Sequence, residues 1–315
     1  MKEYLLCKYS RAMLFSDYVR LHNIVLSRKN ALASKHFYSQ YNSPFGKECR
    51  TTPQCRKGGG TENNMGKIIA VTNQKGGVGK TTTSVNLSSC LACEGKKTLL
   101  IDCDPQCNAT SGVGITEHSL TIYDCLDDPD KAKQAVIKTK YSNLYVIPSS
   151  PNMSAVEIEL AYEDKREYFL KDVTEKLKAD YDFIIIDSPP ALGILTINIL
   201  TASDSVLIPV QCEYYALEGV SQLIGTIRII KKKFNPNIEI EGVLGTMYDG
   251  RTNLSIQVLD EVKKYFPDKV YKTVIPRNVR LSEAPSFGEP IIKYDRTSKG
   301  ADAYMALAKE IIRKN

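Results

Sequence analysis

Residues 67–83 read Lys-Ile-Ile-Ala-Val-Thr-Asn-Gln-Lys-Gly-Gly-Val-Gly-Lys-Thr-Thr-Thr. The apolar run Ile68-Ile69-Ala70-Val71 passes directly into a glycine-rich loop, and Ser84-Val85-Asn86-Leu87 then lets a helix begin. Strand, glycine loop and helix together form a setting that can cradle a phosphate. Backbone N–H groups turn inward around the anion, with the positive end of the helix dipole behind them. Gly76, Gly77 and Gly79, with Val78 between them, supply the backbone freedom. Lys80 is placed to reach β- and γ-phosphates, the Thr81 hydroxyl to ligate Mg²⁺, and Thr82 completes the run. The bland alternative is a glycine turn with two solvated lysines. It does not account for three glycines, a lysine and a double threonine coinciding at a strand-to-helix junction. The spacing departs from G-x-x-x-x-G-K-[ST], because position 74 is glutamine and a second lysine, Lys75, opens the loop.

Two other apolar runs end in carboxylates. Leu99-Leu100-Ile101 leads into Asp102-Cys103-Asp104-Pro105-Gln106-Cys107-Asn108-Ala109-Thr110. Two carboxylates at a strand end can orient a water or hold a metal shell; the bland reading is a capped strand end with an Asp-Pro turn. Phe183-Ile184-Ile185-Ile186 leads into Asp187-Ser188-Pro189-Pro190. A carboxylate there suits Mg²⁺ held through water, a weak signal alone and a strong one after a phosphate loop. No Asn-Lys-x-Asp guanine signature follows a strand, which favours adenine as the purine.

The elements that must carry these groups alternate along the chain. Strands are expected at 68–71, 98–101, 144–147, 183–186, 205–208, 240–247 and 270–275, as continuous apolar runs of the kind covered on both faces. Helices are expected at 163–178, 217–233, 253–266 and 300–313. Such alternation predicts an α/β fold, a mainly parallel doubly wound sheet flanked by helices, with ligands beyond the carboxyl ends of the strands.

With 315 residues and 43% hydrophobic content, the chain can fill one large core, and it contains no run of 18 apolar residues to span a membrane. The formal charge of +6 is uneven: residues 1–64 hold 11 Lys/Arg against 4 Asp/Glu, the rest 31 against 32. Any basic surface on the body must therefore come from local clustering. The nine cysteines read as reduced thiols, and Cys90-x-x-Cys93 as small core residues.

Residues 1–64 are expected to be a basic, disordered extension outside the fold, ending in the breaker-rich stretch 55–64. They could be a targeting peptide or a nucleic-acid-binding arm. The favoured reading is that Met65, directly before the first strand, is the native start. Lys57-Gly58-Gly59 can be encoded by a purine-rich stretch of the kind that recruits a ribosome just upstream. The folded domain is then 65–315.

Lys-Gly-Gly-Val-Gly-Lys-Thr at 75–81 resembles the deviant Walker A motif of the ParA/MinD family of P-loop ATPases. Residues 102–110 resemble the family's DxDPQGNAT segment, with Cys107 where glycine is usual, and 187–190 its D-x-P-P. Residues 211–219, 251–254 and 276–286 are similar to the chromosomal ParA subgroup called Soj, and the likeness runs from Met65 to about Lys314. The resemblance implies a slow, partner-stimulated ATPase with ATP and Mg²⁺ as cofactors. It assigns Lys75, Lys80 and Asp104 to catalysis. Lys75 would cross a nucleotide-bridged homodimer, and Asp104 would position the attacking water. Thr81, Asp102 and Asp187 would serve the metal, and the adenine would sit near Met247, Pro276, Arg277 and Asn278. The closed dimer would bind double-stranded DNA without sequence preference through Arg251, Lys263, Lys264, Lys272 and Arg280. A ParB-type partition protein would trigger hydrolysis and release, in a cytoplasmic, nucleoid-associated cycle without a membrane. Two alternatives are a MinD-like membrane-cycling regulator, which needs an amphipathic C-terminal segment, and a cluster-bridging redox protein, which needs paired cysteines beyond Cys125 and Cys212.

Overall fold

The computed structural model describes residues 66–213 and 216–315, with the side chains of 216–219 left aside. The chain divides into two units, 1–61 and 62–315, and all described residues belong to the second. The expectation for residues 1–64 lies outside the described residues.

Seven strands form one sheet in the order β3-β4-β2-β5-β1-β6-β7. They are β1 (Lys67–Val71), β2 (Thr98–Asp102), β3 (Ile137–Lys138), β4 (Leu144–Ile147), β5 (Phe183–Asp187), β6 (Ser205–Gln211) and β7 (Glu239–Thr246). All pairs are parallel except β3 with β4. Every residue of β2 and β5 is buried, because alternate side chains enter two different cores. Ile68, Leu99, Ile101, Ile184 and Ile186 join one, with the helices Ile122–Asp127, Phe169–Glu175 and Ile194–Ala202. Ile69, Val71, Leu100, Ile185 and Leu207 join the other, with Lys80–Cys93 and Lys299–Lys314. The sheet is thus doubly wound, as the uninterrupted apolar runs require.

Register brings the chemistry together. Val71 and Asp102 both pair with Asp187, so the loop leaving β1 and the carboxylates ending β2 and β5 share one edge. The helix Lys80–Cys93 behind the loop is buried almost all round, and its Ser, Thr, Ala and Cys side chains allow close packing. Thr83 Oγ1 and the Tyr304 hydroxyl, 3.2 Å apart, tie it to the C-terminal helix, and Asn86 Oδ1 accepts from Ile291 N at 2.6 Å. Cys90 is in this core and Cys93 faces solvent, so the Cys-x-x-Cys pair is split.

Two expected elements differ, and one short strand is added. The helix expected over 163–178 is only Phe169–Glu175. Lys165 takes a left-handed φ of 56°, and the Asn198 side chain holds the Arg166 carbonyl and the Leu170 N–H, which starts the helix late. The stretch 270–275 is not a strand. It meets β7 at its two ends, by Tyr271 N donating to Val243 O (3.0 Å) and Ile275 N to Gly245 O (2.8 Å), but between them the N–H groups of Lys272 and Thr273 turn to the Glu310 carboxylate and no ladder forms. Finally, β3 was not expected: two residues are too short to leave a pattern.

Candidate active site

The loop between β1 and its helix is held at both ends by bonds from distant parts of the chain. Asn73 Nδ2 donates to Pro209 O (2.7 Å), its Oδ1 accepts from Lys75 N (3.0 Å), and Thr246 Oγ1 donates to Val78 O (2.8 Å). Ser188 Oγ donates to Val71 O at 2.9 Å, clamping the end of β1 to the end of β5. Gly77 and Gly79 have φ of 73° and 87°, a conformation that L side chains rarely adopt. A Cβ at Gly76 or Gly77 would meet nothing within 4 Å, so the cradle is open and the glycines serve conformation. Lys80 is buried, with Nζ 3.3 Å from the Lys75 carbonyl. Burial lowers its pKa, opposed by the charges of Asp187 and Asp104, which places those carboxylates within its field.

Asp102 and Asp187 are both fully buried, and their oxygens are used differently. Asp102 Oδ1 accepts from Asp104 N (3.1 Å); its Oδ2 accepts from Thr110 N (2.8 Å) and Thr110 Oγ1 (2.7 Å). The network extends to the end of β4, since Ser149 N donates to Thr110 Oγ1 at 3.0 Å. Asp187 Oδ1 accepts from Ser84 Oγ at 2.8 Å, while Oδ2 is buried without a hydrogen-bond partner. Burial first, and then the charge of Asp102, push the Asp187 carboxyl up to about 8 against the Ser84 and Thr81 hydroxyls. An orphaned, desolvated carboxylate oxygen beside a threonine hydroxyl fits a divalent cation. Asp102 can serve such an ion only at one remove, because the protein already occupies both of its oxygens. Asp104 is 7% exposed, and its Oδ1 accepts from Gln106 N at 3.0 Å.

Cys107 takes φ 56° and ψ 25°, the left-handed conformation that glycine would adopt at lower cost. Its Sγ lies 3.4 Å from Pro105 O, and burial raises its pKa.

Met247 follows β7 at φ 49°. Beyond it, Tyr248 N donates to Ile275 O (3.0 Å) and Arg277 N to Tyr248 O (3.2 Å), which draws Met247 and residues 276–278 into one rim. Arg277 Nη2 pairs with Glu213 Oε1 at 3.3 Å, and Asn278 caps the short helix Val279–Glu283 through Arg280 N. The remaining basic candidates lie outside this rim. Arg251 is 89% exposed; Lys263 and Lys264 pair with Asp260 and Glu261 on their own helix; Arg280 faces Glu283 and Asp295; Lys272 is exposed.

Four residues of this assembly went unassigned in the sequence. Ser84, four residues after Lys80, and Ser188, directly after Asp187, are adjacent to motifs and could have been found there. Asn73 stands where the strand gives way to the loop. Thr246 gives no local signal, being 168 residues from its partner.

Comparison with known proteins identifies relatives of this chain. The AAA domain family matches residues 66–240. The sporulation initiation inhibitor protein Soj of Bacillus subtilis is 62% identical over 249 residues, covering 78% of this chain and 98% of the relative. The chromosome partitioning protein ParA of Myxococcus xanthus is 50% identical over 253 residues, 80% of this chain and 89% of that one. Cobyrinic acid a,c-diamide synthase from Mycobacterium smegmatis, solved with bound ADP and magnesium, superposes with a TM-score of 0.70 at 35% identity, over 79% of this chain and 95% of that one. The cell division ATPase MinD of Pyrococcus furiosus gives 0.67 at 29% identity, over 80% and 100%.

Proposed function

This chain belongs to the ParA/MinD family, in the branch of the Soj and ParA chromosome-partitioning ATPases, and we propose that it works as an ATP-gated DNA-binding dimer in that role. It is an ATPase whose cofactors are ATP and Mg²⁺. The observation that carries the site assignment is the buried, unpartnered Asp187 Oδ2 below an open glycine cradle.

Gly76, Gly77, Val78 and Gly79 would bind the phosphates by their backbone N–H groups, with Lys80 and Thr82 beside them. Lys80 is desolvated before the ligand arrives, so its charge acts on a phosphate with little competition from water. Thr81 and Asp187 would hold Mg²⁺, with Asp102 fixing the turn behind them; bound there, the ion neutralises charge on the phosphates. Asp104 would orient the attacking water next to Lys80. Met247, Pro276, Arg277 and Asn278 would border the adenine.

Lys75 stands at the loop mouth, too early to cradle its own phosphates, and its role would be to reach the nucleotide of a second copy. Two copies closed over two nucleotides would present Arg251 and Arg280 twice to a DNA backbone, with Lys263, Lys264 and Lys272 adding weaker contacts. A ParB-type partner would then stimulate hydrolysis and free the protein from the nucleoid. Among the described residues no helix is long and apolar enough to cross a membrane.

The test is a pair of variants. Lys75→Ala should keep nucleotide binding by one subunit and lose ATP-dependent dimerisation in light scattering. Arg251→Glu should keep the ATP dimer and lose DNA. A Lys75→Ala chain that dimerises normally with ATP removes the bridging role. An Arg251→Glu chain that binds DNA as the wild type does moves the DNA face elsewhere.

A further inference from the structure

Arg251 already holds an anion. Its Nε donates to Asp249 Oδ1 at 2.9 Å and its Nη2 to Asp249 Oδ2 at 2.7 Å, a two-pronged fork along one edge of the guanidinium. That edge is the one with which arginine grips a phosphate. Asp249 is well placed to stay. Its Oδ1 also accepts from Arg251 N at 3.1 Å, and its carbonyl accepts from Thr252 N (3.1 Å) and Thr252 Oγ1 (2.9 Å). Thr252 in turn caps the helix Asn253–Tyr265, and Tyr248 on the other side is pinned to Ile275 and Arg277. The turn is therefore fixed at both ends, and only the two side chains are free to part.

We propose that Asp249 is an internal competitor for the DNA backbone: its carboxylate occupies the guanidinium donors that a phosphate would take, so binding on this face exchanges one anion for another. This rests on the reading of Arg251 as a phosphate contact. Arg251, and to a smaller degree the charge of Arg277, hold the Asp249 carboxyl down, so the competing anion is present at neutral pH. No other candidate DNA contact among the described residues carries this device: Arg280 divides its donors between Glu283 and Asp295, and Lys263 pairs with Asp260 through one ammonium. Asp249 thus weakens DNA binding at rest and makes it reversible, which suits a protein that must let go of DNA.

The experiment measures binding of the full chain with ATP to a short fluorescein-labelled duplex of mixed sequence, by anisotropy at two salt concentrations. Asp249→Asn keeps the oxygen that accepts from Arg251 N and so keeps the turn, which a thermal melt checks. It should tighten DNA binding by about threefold to tenfold at the lower salt, and less at the higher. The same change in an Arg251→Ala background should have no effect, and Asp249→Glu should return affinity toward the wild type. If Asp249→Asn weakens binding as much as Arg251→Ala does, Asp249 presents the arginine to DNA and the competition is refuted. If the gain survives in the Arg251→Ala background, it is general charge removal, and the proposal also falls. If Arg251→Ala binds as the wild type does, the DNA-face reading is what has failed, and the proposal falls with it.

Discussion

Two buried aspartates end adjacent strands of one sheet, and the protein treats them in opposite ways. Asp102 at the end of β2 has both oxygens filled by Asp104 N and the Thr110 N–H and hydroxyl. Asp187 at the end of β5 has one oxygen bonded to Ser84 and the other bonded to nothing. Both carboxyls are pushed up by burial, so the pair shares one penalty. They differ in how that penalty is met. The Asp102 end is satisfied by the chain itself and fixes the turn that carries Asp104. The Asp187 end is left unsatisfied, which fits the cation proposed for it. A buried carboxylate with full hydrogen bonding marks structure, and one with an orphaned oxygen marks a ligand site.

Substitution by asparagine should separate the two ends, the largest effect falling on ligand binding. Asp187→Asn should abolish Mg²⁺-dependent tightening of ATP binding in titration calorimetry, while the ligand-free chain keeps or gains thermal stability at pH 8. The sign follows from the raised carboxyl. In the folded chain Asp187 holds its proton up to about 8, far above its unfolded value. Its contribution to stability is therefore present at low pH and lost as pH rises through about 8. The melting temperature of the wild type without ligand should fall as pH rises from about 4 to about 8 and level off above it, saturating Mg²⁺ with ADP should reduce the fall, and Asp187→Asn should flatten it. A wild-type chain with no such slope breaks the comparison.

Asp102→Asn should do the reverse. An amide can accept at one atom only, and its NH₂ would face an N–H that now finds a carboxylate. A loss of about 1–3 kcal/mol of stability is expected in urea titration. Because Asp102 also raises the Asp187 carboxyl, the variant should shift the pH slope of Asp187 to lower pH. Equal destabilisation by the two asparagine variants would mean that the orphaned oxygen is satisfied in solution.

The strand ends show how far the sequence carries. An apolar run closing on aspartate marks both ends, three residues long before Asp102 and four before Asp187, and the glycine loop after β1 signals phosphate chemistry. The parallel sheet was equally legible, because β2 and β5 carry uninterrupted apolar runs at 99–101 and 183–186, a pattern that two covered faces allow. What separates Asp102 from Asp187 was not legible, since it depends on Thr110 folding back onto one of them and on Ser84 reaching the other across 103 residues. The same limit hid Thr246, whose partner is the Val78 carbonyl, and made the stretch 270–275 look like a strand. That stretch has the composition of a strand, but the Glu310 carboxylate takes the N–H groups of Lys272 and Thr273 in its middle.

Thr246→Val tests how tightly the cradle must be held. It keeps the shape and removes the hydroxyl that fixes Val78 O. The expected result is about a threefold to tenfold loss of ATP affinity with little change in melting temperature, since the loop is anchored elsewhere by Asn73. A loss of stability comparable to that of Asp102→Asn would place Thr246 on the structural side of the comparison.

The smallest expected effect tests whether the satisfied end carries a cost of its own. Cys107 lies in the turn that Asp102 fixes, in a left-handed conformation that costs an L residue about 1–2 kcal/mol. The Asp102 bonds to Asp104 and Thr110 bracket the turn and hold it there, so the strain is sustained by the same network that fills the carboxylate. Glycine at 107 would relieve the strain and enlarge the freedom of the unfolded chain by about 0.4–1 kcal/mol, which returns part of the gain. It also gives up the weak contact of Sγ with Pro105 O. Cys107→Gly should therefore stabilise the chain by about 0.5 kcal/mol in urea titration, with hydrolysis unchanged if Asp104 keeps its place. In an Asp102→Asn background the turn is no longer bracketed, and a cysteine there can relax. The gain from glycine should then shrink toward zero. A gain of the same size in both backgrounds would show that the strain belongs to the turn alone and not to the carboxylate network.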